Sequence, residues 1–321
     1  MVSVISDLPR WMEKLPAFVR QEVPIIYLAI PGSHSSMTYA INKKSRLAKD
    51  AKRTYKMFRT FFPYAVRKWS KSQNFDVRKQ LRNGVRYFDL RISFNESTKE
   101  YFFFYGLFAL EINSPLLTIS DYLTSHPHEV VILDFQDFYR FSIRDHEILQ
   151  KTILAIFDQK LITREDGILN DITLDITLKK KQAFVIYRRS PIPLTNDFWT
   201  HDNWSNPPAK PHKTKHLKRF LTEELRKRNP SAGYITKCIL NPEKKYICVR
   251  LFSSLKSAAQ KVARDLKPWI TSQKVGLFRS GEPPSANVFI ADFIDLDDSQ
   301  FCKWVIDLNS KLESGTCYCG I

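Results

Sequence analysis

Short apolar runs, rich in β-branched and aromatic residues, recur along this chain of 321 residues. Several are almost continuously apolar, which is typical of strands that are covered on both faces. Segments with helical spacing of apolar residues separate them, and this alternation predicts an α/β fold with a mostly parallel sheet. Seven predicted strands come close to the eight of a TIM barrel. The predicted strands are 24–30, 85–93, 101–108, 130–138, 183–188, 246–252 and 287–294.

The helical segments show apolar residues on one face. We predict helices at 115–125, 143–159, 254–269 and 299–312. Hydrophobic residues make up 43% of the chain, enough to build a full core. No low-complexity linker divides the sequence and no glycine-rich nucleotide loop occurs in it. We therefore predict a single domain spanning residues 1–321, with basic insertions at about 41–71 and 207–230.

The N-terminal segment does not resemble a signal peptide, because Asp7, Pro9, Arg10, Glu13 and Lys14 interrupt it. No apolar run approaches the roughly 18 residues that a membrane-spanning helix needs. From these features we expect a cytoplasmic protein without a transmembrane segment.

Polar residues that suit chemistry follow or end the predicted strands. In a barrel of this class, active sites lie at the C-terminal ends of the strands. A histidine, several carboxylates and two arginines that converge there would suit a phosphate ester, with arginine for the anion and histidine for proton transfer. The alternative is that the histidine is structural and the Asp-x-Arg pair is only a salt bridge. The candidates are His34, Asp89, Arg91, Tyr105, Asp134, Gln136, Arg188 and Asp292.

Two motifs carry a family resemblance. Residues 28–39 read LAIPGSHSSMTY, and residues 80–91 read QLRNGVRYFDLR. Together with HPHEVVILDF at 126–135 and ADF at 291–293, they span nearly the whole chain. They resemble the phosphatidylinositol-specific phospholipase C X domain, and most closely the small eukaryotic proteins that consist of little else.

The resemblance implies a distorted TIM-type barrel and a phosphoric diester hydrolase of lipid metabolism. In that family an inositol hydroxyl attacks the neighbouring phosphate. By the same resemblance, His34 is the general base and Asp292 orients it, while Arg91 stabilises the phosphate. The resemblance places Asp89, Gln136 and Arg188 among the substrate-binding residues.

Two departures from the family pattern concern the general acid. Tyr105 replaces the second histidine, and Ser35 replaces the acidic or amide residue that follows the first one. A tyrosine with a pKa near 10 is a poor proton donor at neutral pH, and loss of a general acid typically costs 10²–10⁴-fold in rate. The sequence therefore leaves two hypotheses, a weakened enzyme and an inactive relative that binds lipid or a partner in a regulatory role.

A metal cofactor is not expected. The positions that match the calcium ligands of the larger eukaryotic enzymes are Ser35, Asp89, Arg91 and Gln136. Only one is a carboxylate, and an arginine supplies a fixed positive charge. We expect no cofactor.

Two basic segments hold most of the net charge of +17. Residues 41–71 carry eleven basic side chains and one acidic, interleaved with aromatics. This pattern favours an anionic membrane surface or phosphoinositide as partner, and hence a peripheral membrane protein; a solvated helix face is the alternative. The charge lacks a nucleic-acid-binding signature, so no nucleic acid partner is expected. Residues 210–228, with His212 and His216, favour a flexible basic loop over a metal site. The oligomeric state stays open.

Overall fold

A computed structural model describes residues 7–47, 63–189, 197–209, 211–241 and 254–313. The strands are β1 (Ile30–Ser33), β2 (Tyr87–Asn95), β3 (Glu100–Tyr105), β4 (Leu107–Glu111), β5 (Val131–Tyr139), β6 (Ala183–Tyr187), β7 (Trp204–Ser205), β8 (Gly233–Lys237) and β9 (Val288–Ala291). The α-helices are α1 (Ala17–Glu22), α2 (Pro63–Ser70), α3 (Val77–Arg82), α4 (Asn113–Ser125), α5 (Ile143–Phe157), α6 (Thr214–Leu225), α7 (Leu255–Thr271) and α8 (Gln300–Asp307).

Seven parallel strands form the wall of a distorted TIM-type barrel, as the sequence predicts. Their order is β6-β5-β2-β1-β9-β8-β7. The distal part of β2 also pairs antiparallel with β3, which forms a hairpin with β4, so the sheet is mixed. The hydrogen-bonded wall is not closed: among the described residues, β6 does not pair with β7, and an isolated bridge joins Ile186 of β6 to Trp199, which precedes β7.

Alternate residues along each parallel strand point into the barrel or towards the surrounding helices. The inward residues form one apolar cluster together with the N-terminal segment around Trp11. Trp204 belongs to this cluster and lies against Gly233, where an added Cβ would be 2.1 Å from the indole ring. The inward cluster includes Ile30, Tyr87, Ile132, Ile186, Ile235 and Ile290.

Three of the predicted strands differ from those observed. Residues 24–30 are wholly buried, but Ile25–Tyr27 forms a 3-10 turn and β1 begins only at Ile30. Residues 101–108 form two strands, because the chain reverses at Gly106, where φ is +69°. The strand at 246–252 lies outside the described residues, and β7 and β8 were not predicted.

The expectation of a flexible loop at 210–228 is wrong, because α6 occupies most of that segment. Leu217, Leu221 and Leu225 recur every four residues and are buried against the core, which stabilises the helix. His212 precedes this helix and His216 lies within it, so their spacing does not give a shared helical face. In the described ranges, neither histidine belongs to a cluster of three or more potential metal ligands.

Arg228, at the end of the same basic segment, has a structural role. Its guanidinium is buried and donates hydrogen bonds of 2.6 Å to the carbonyl oxygens of Ser285 and Ile26. Burial lowers the pKa of Arg228 to about 10. This positive charge is therefore not available at the surface.

Only the ends of the first basic segment belong to the described part of the chain. Residues 41–47 reach β4, where Leu47 is bridged to Leu107. Helix α2 covers Pro63–Ser70, and the run 48–62 lies outside the described residues. No α-helix in the described ranges is both long and apolar enough to cross a membrane.

A buried ion pair lies at the N-terminal ends of two strands of the barrel. Arg86 precedes β2 and Glu129 precedes β5, and both side chains are wholly buried. The guanidinium donates to Glu129 at 2.8 Å and to the carbonyl oxygens of Leu81 and Pro9 at 2.8 and 2.7 Å. One side chain therefore ties two strands to the N-terminal segment.

Replacing Arg86 with methionine should destabilise the fold strongly, because it leaves the Glu129 carboxylate buried without a counter-charge. We expect the free energy of unfolding in urea to fall by about 3–5 kcal/mol. Arg219→Ala removes an exposed partner of Glu223 and is the matched control, with no measurable change expected. Equal unfolding midpoints for the two variants would contradict the structural role of the pair.

Candidate active site

A cavity of about 770 Å³ opens at the C-terminal ends of the parallel strands. The structure brings most of the predicted site residues to this one cavity. Asp89 does not line it but lies directly behind His34 and Arg91. The predicted residues that line the cavity are His34, Arg91, Tyr105, Gln136, Arg188 and Asp292.

His34 is held by the strand pair β1 and β9. Its backbone amide donates to the carbonyl of Ala291, and its Nδ1 lies 2.7 Å from Oδ1 of the next residue, Asp292. Because a carboxylate only accepts, we assign the ring proton to Nδ1. Nε2 then carries the lone pair, 3.3 Å from the Ser35 hydroxyl and 3.7 Å from Asp89. In this arrangement the imidazole can accept a proton from a ligand.

The turn after β1 fixes the position of this imidazole. Ser35 adopts a left-handed conformation, with φ at +43°. Ser72 and Gln73 donate hydrogen bonds of 3.1 and 3.0 Å to the carbonyl oxygen of His34. The backbone of the histidine is therefore held on both sides.

Two buried carboxylates lie side by side under the cavity. Asp89 on β2 is the register partner of Asp134 on β5, and both side chains are wholly inaccessible. Arg91 binds Asp89 through Nε at 3.2 Å, and Arg188 binds Asp134 through Nε at 2.7 Å and Nη2 at 2.5 Å. Burial alone would raise the pKa of Asp89, but Arg91 and His34 together lower it below its usual value.

Both arginines are held by further contacts. Arg91 also lies 3.3 Å from Asp137, and Nη1 of Arg188 donates to the carbonyl oxygen of Trp204 at 2.9 Å. Burial opposes ionisation of both guanidiniums, but the adjacent carboxylates raise the pKa of each above its ordinary value. Both remain charged, and their donors are largely used by the protein itself.

Gln136 lies at the edge of the same network. Its amide nitrogen donates to the Tyr87 hydroxyl at 3.3 Å, and that hydroxyl donates to Asp134 at 2.5 Å. The Gln136 side chain is therefore anchored from below while it lines the cavity.

Tyr105 packs between the histidine and an arginine. Its ring meets the His34 imidazole edge-on, with centroids 5.7 Å apart, and the Arg91 guanidinium lies 5.2 Å from the ring centroid. Burial raises the pKa of Tyr105 to about 12, with Asp292 and Asp89 adding to the effect and Arg91 opposing it. Within the described ranges, the hydroxyl makes no hydrogen bond, and it is a weak proton donor at neutral pH.

The polar residues of the mouth that were not among the predicted candidates include Lys237 and Asn206. Lys237 ends β8, and Asn206 follows β7; both line the cavity. Neither strand was predicted, because Gly233–Lys237 contains only two large apolar residues and β7 only two residues in all. The run of aromatic and β-branched residues Tyr234, Ile235 and Thr236 was the available signal.

An α/β barrel whose mouth carries a His–Asp pair and two partly buried arginines beside buried carboxylates resembles the phospholipase C class of protein. The chain belongs to the PI-PLC X domain-containing proteins. It is 33% identical to PI-PLC X domain-containing protein 2 of Mus musculus over 314 residues, covering 94% of this chain and 88% of that protein. It is 30% identical to PI-PLC X domain-containing protein 3 of Homo sapiens, covering 96% and 95% of the two chains. No protein-family model matches the chain.

Solved structures show the same fold. The phosphatidylinositol-specific phospholipase C from Listeria monocytogenes superposes with a TM-score of 0.65 at 17% identity, covering 95% of this chain and 100% of that one. A mutant of the Staphylococcus aureus enzyme gives 0.63 at 16% identity, with coverage of 98% and 100%. These comparisons confirm the predicted barrel.

The raised pKa of Tyr105 can be checked directly by NMR titration of ring-labelled tyrosine, with Tyr105→Phe to assign the signal. We expect Tyr105 to keep its proton until about pH 12. The exposed Tyr64 is the control, because a hydrogen bond with Lys68 lowers its pKa, so it should titrate first.

The same shift predicts a loss of stability at alkaline pH. The unfolded chain loses this proton near pH 10, whereas the folded chain retains it to about pH 12. The contribution of Tyr105 therefore falls as pH rises through that window. Ionisation of Tyr105 before Tyr64 would contradict this environment.

Proposed function

We propose that this protein is a slow, metal-independent phosphodiesterase of the phosphatidylinositol phospholipase C type. The observation that carries the proposal is the hydrogen bond of 2.7 Å between His34 and Asp292, which leaves Nε2 as the basic nitrogen beside the cavity. A phosphodiester with a neighbouring hydroxyl is a substrate that one such base can activate.

In the proposed reaction, Nε2 of His34 accepts the proton of an inositol hydroxyl, and Asp292 stabilises the imidazolium that results. The hydroxyl oxygen forms a bond to phosphorus, giving a cyclic phosphate, as the bond to the glycerol oxygen breaks. Arg91, held by Asp89 and Asp137, presents its charge to the developing phosphorane. The leaving oxygen takes its proton from water or, inefficiently, from Tyr105.

The absence of a histidine as general acid determines the rate of cleavage that we expect. Tyr105 holds its proton too tightly to replace a histidine, and Ser35 does not supply the carboxylate that would orient one. Loss of general-acid catalysis corresponds to about 10²–10⁴-fold in rate. We therefore expect measurable but slow cleavage.

The contact between Arg91 and Asp89 supports a mechanism without a metal. A divalent cation in this mouth would need the oxygens of Asp89, and the guanidinium lies against them at 3.2 Å and 3.4 Å. The arginine supplies the positive charge that a cation would otherwise bring.

A second candidate function is non-catalytic binding of membrane lipid. It is favoured by Tyr105, whose ring packs on Arg91 and whose hydroxyl is not engaged by the described residues. In either function the mouth faces an anionic membrane surface, and exposed Tyr64 and the basic residues Arg67 and Lys68 of α2 lie on the segment that leads into the mouth.

Cleavage of phosphatidylinositol in mixed vesicles tests the proposal. The wild type should release inositol phosphate slowly, and His34→Ala should abolish release. The double variant Ser35→Asp/Tyr105→His introduces the histidine that acts as general acid and the carboxylate that would orient it. It should accelerate release by up to about 10²–10⁴-fold. Leu178→His adds a histidine at an exposed position before β6, at the opposite end of the barrel, and should leave the rate unchanged.

The outcomes distinguish phosphodiester cleavage from non-catalytic binding of membrane lipid. Wild-type turnover that persists in His34→Ala would show that the cleavage does not depend on the His34 pair. No turnover in the wild type and the double variant, with vesicle binding retained, would establish the lipid-binding function instead.

A further inference from the structure

Lys237 occupies a position that the mechanism above does not use. It lies two residues after Ile235, which faces the barrel interior, so its side chain is on the same face and nearer the mouth. Its register partner is Ile290 on β9, two residues before Asp292. The side chain is partly buried and lines the cavity.

Lys237 differs from the other cationic side chains of the cavity in having no counter-ion among the described residues. Within the described ranges, no carboxylate oxygen lies within ion-pair distance of its ammonium, whereas each other cation or histidine lining the cavity has one within 4.0 Å. Those pairs are Arg91 with Asp89 and Asp137, Arg188 with Asp134, Arg189 with Asp137, His34 with Asp292, and His201 with Asp202.

The reason lies in the arginines. Asp89 and Asp134 attract Lys237 from a distance, but their oxygens already accept from Arg91 and Arg188. Burial, with the charges of the two arginines, lowers the pKa of Lys237 against the opposing effect of the two carboxylates. A partly desolvated ammonium without a counter-ion is stabilised by an anion that enters the cavity.

Asn206 adds a second, independent feature beside it. It follows Ser205, the register partner of Tyr234, so it sits next to Ile235 and below Lys237 on the neighbouring strand. Its amide oxygen and nitrogen are both buried, and neither has a hydrogen-bond partner in the described structure. Unsatisfied buried polar atoms of this kind commonly mark a ligand position.

We propose that Lys237 and Asn206 form a subsite for a phosphorylated polyol. The ammonium binds the anionic phosphate oxygen, and the amide, which can donate and accept, binds a ring hydroxyl. The subsite deepens the proposed function, on which it rests: Lys237 matches the single negative charge of the bound phosphodiester, and Arg91, held by Asp89 and Asp137, meets the further charge that develops on the phosphorane.

Calorimetric titration of the full chain with myo-inositol 1-phosphate and with inorganic phosphate tests the subsite. Lys237→Gln should weaken binding of both ligands by about tenfold or more, because the charge is lost. Lys237→Arg should retain binding. Asn206→Leu should weaken binding of inositol 1-phosphate only, since inorganic phosphate lacks the ring hydroxyls.

Arg189→Gln is the matched control, because it removes an equal charge from an exposed side chain of the same cavity and should change neither affinity appreciably. Urea midpoints establish that each variant is folded. The proposal is overturned if Lys237→Gln binds as the wild type does, if Arg189→Gln loses as much affinity, or if the wild type binds neither ligand.

A His34→Ala background distinguishes this inference from the proposed cleavage. Binding that persists in His34→Ala and is lost in His34→Ala/Lys237→Gln supports the subsite even if the protein has no turnover. Wild-type turnover together with unchanged binding in Lys237→Gln would overturn the subsite and leave the cleavage proposal standing. Binding to phosphatidylinositol vesicles, compared with free inositol 1-phosphate, shows whether the subsite takes the lipid headgroup or the soluble phosphate.

Discussion

The mouth of this barrel depends on two carboxylates that the strand register places next to each other. Asp89 and Asp134 are paired across β2 and β5 with their side chains wholly buried. Two adjacent buried anions are tolerated only with close positive charge and hydrogen bonds. Arg91 and Arg188 supply it, and the Tyr87 hydroxyl completes the shell of Asp134. The arginines are therefore part of the architecture as well as of the candidate site.

The pairing of these carboxylates with arginines also affects which groups of the cavity can bind a ligand. The His34 pair with Asp292 provides a base, but the opposite position holds the aromatic ring of Tyr105 against Arg91. In the proposed mechanism, His34 is therefore the base, and the ring of Tyr105 occupies the position of the acid. Both guanidiniums are paired with carboxylates, whereas Lys237 on β8 has no carboxylate within ion-pair distance among the described residues.

Much of this arrangement could be predicted from the sequence, and the exceptions have physical causes. His34, Arg91 and Asp292 follow from motifs at strand ends, and the structure brings them to one cavity. The pairing of Arg91 with Asp89 within the same strand could be read from the sequence as a salt bridge, but the register of Asp89 with Asp134 could not, because it is set between strands distant in sequence.

Three local errors show where pattern reading fails. The segment 24–30 is apolar because it is buried, not because it is extended. The lysines and arginines of α6 suggested a solvated loop, although the leucines of the same segment recur at helical spacing. Lys237 was missed because a short strand next to polar residues gives a weak signal, although its position is decided by a simple alternation from Ile235.

The incomplete wall between β6 and β7 has a consequence for how the fold moves. Besides the Ile186–Trp199 bridge, the described contacts across this seam include the hydrogen bond from Arg188 to the Trp204 carbonyl. Arg188 therefore stabilises the wall and also lines the cavity. We expect a ligand that draws the guanidinium away from Trp204 to weaken this contact, so that amide hydrogen exchange in the adjoining strands would report occupancy of the mouth.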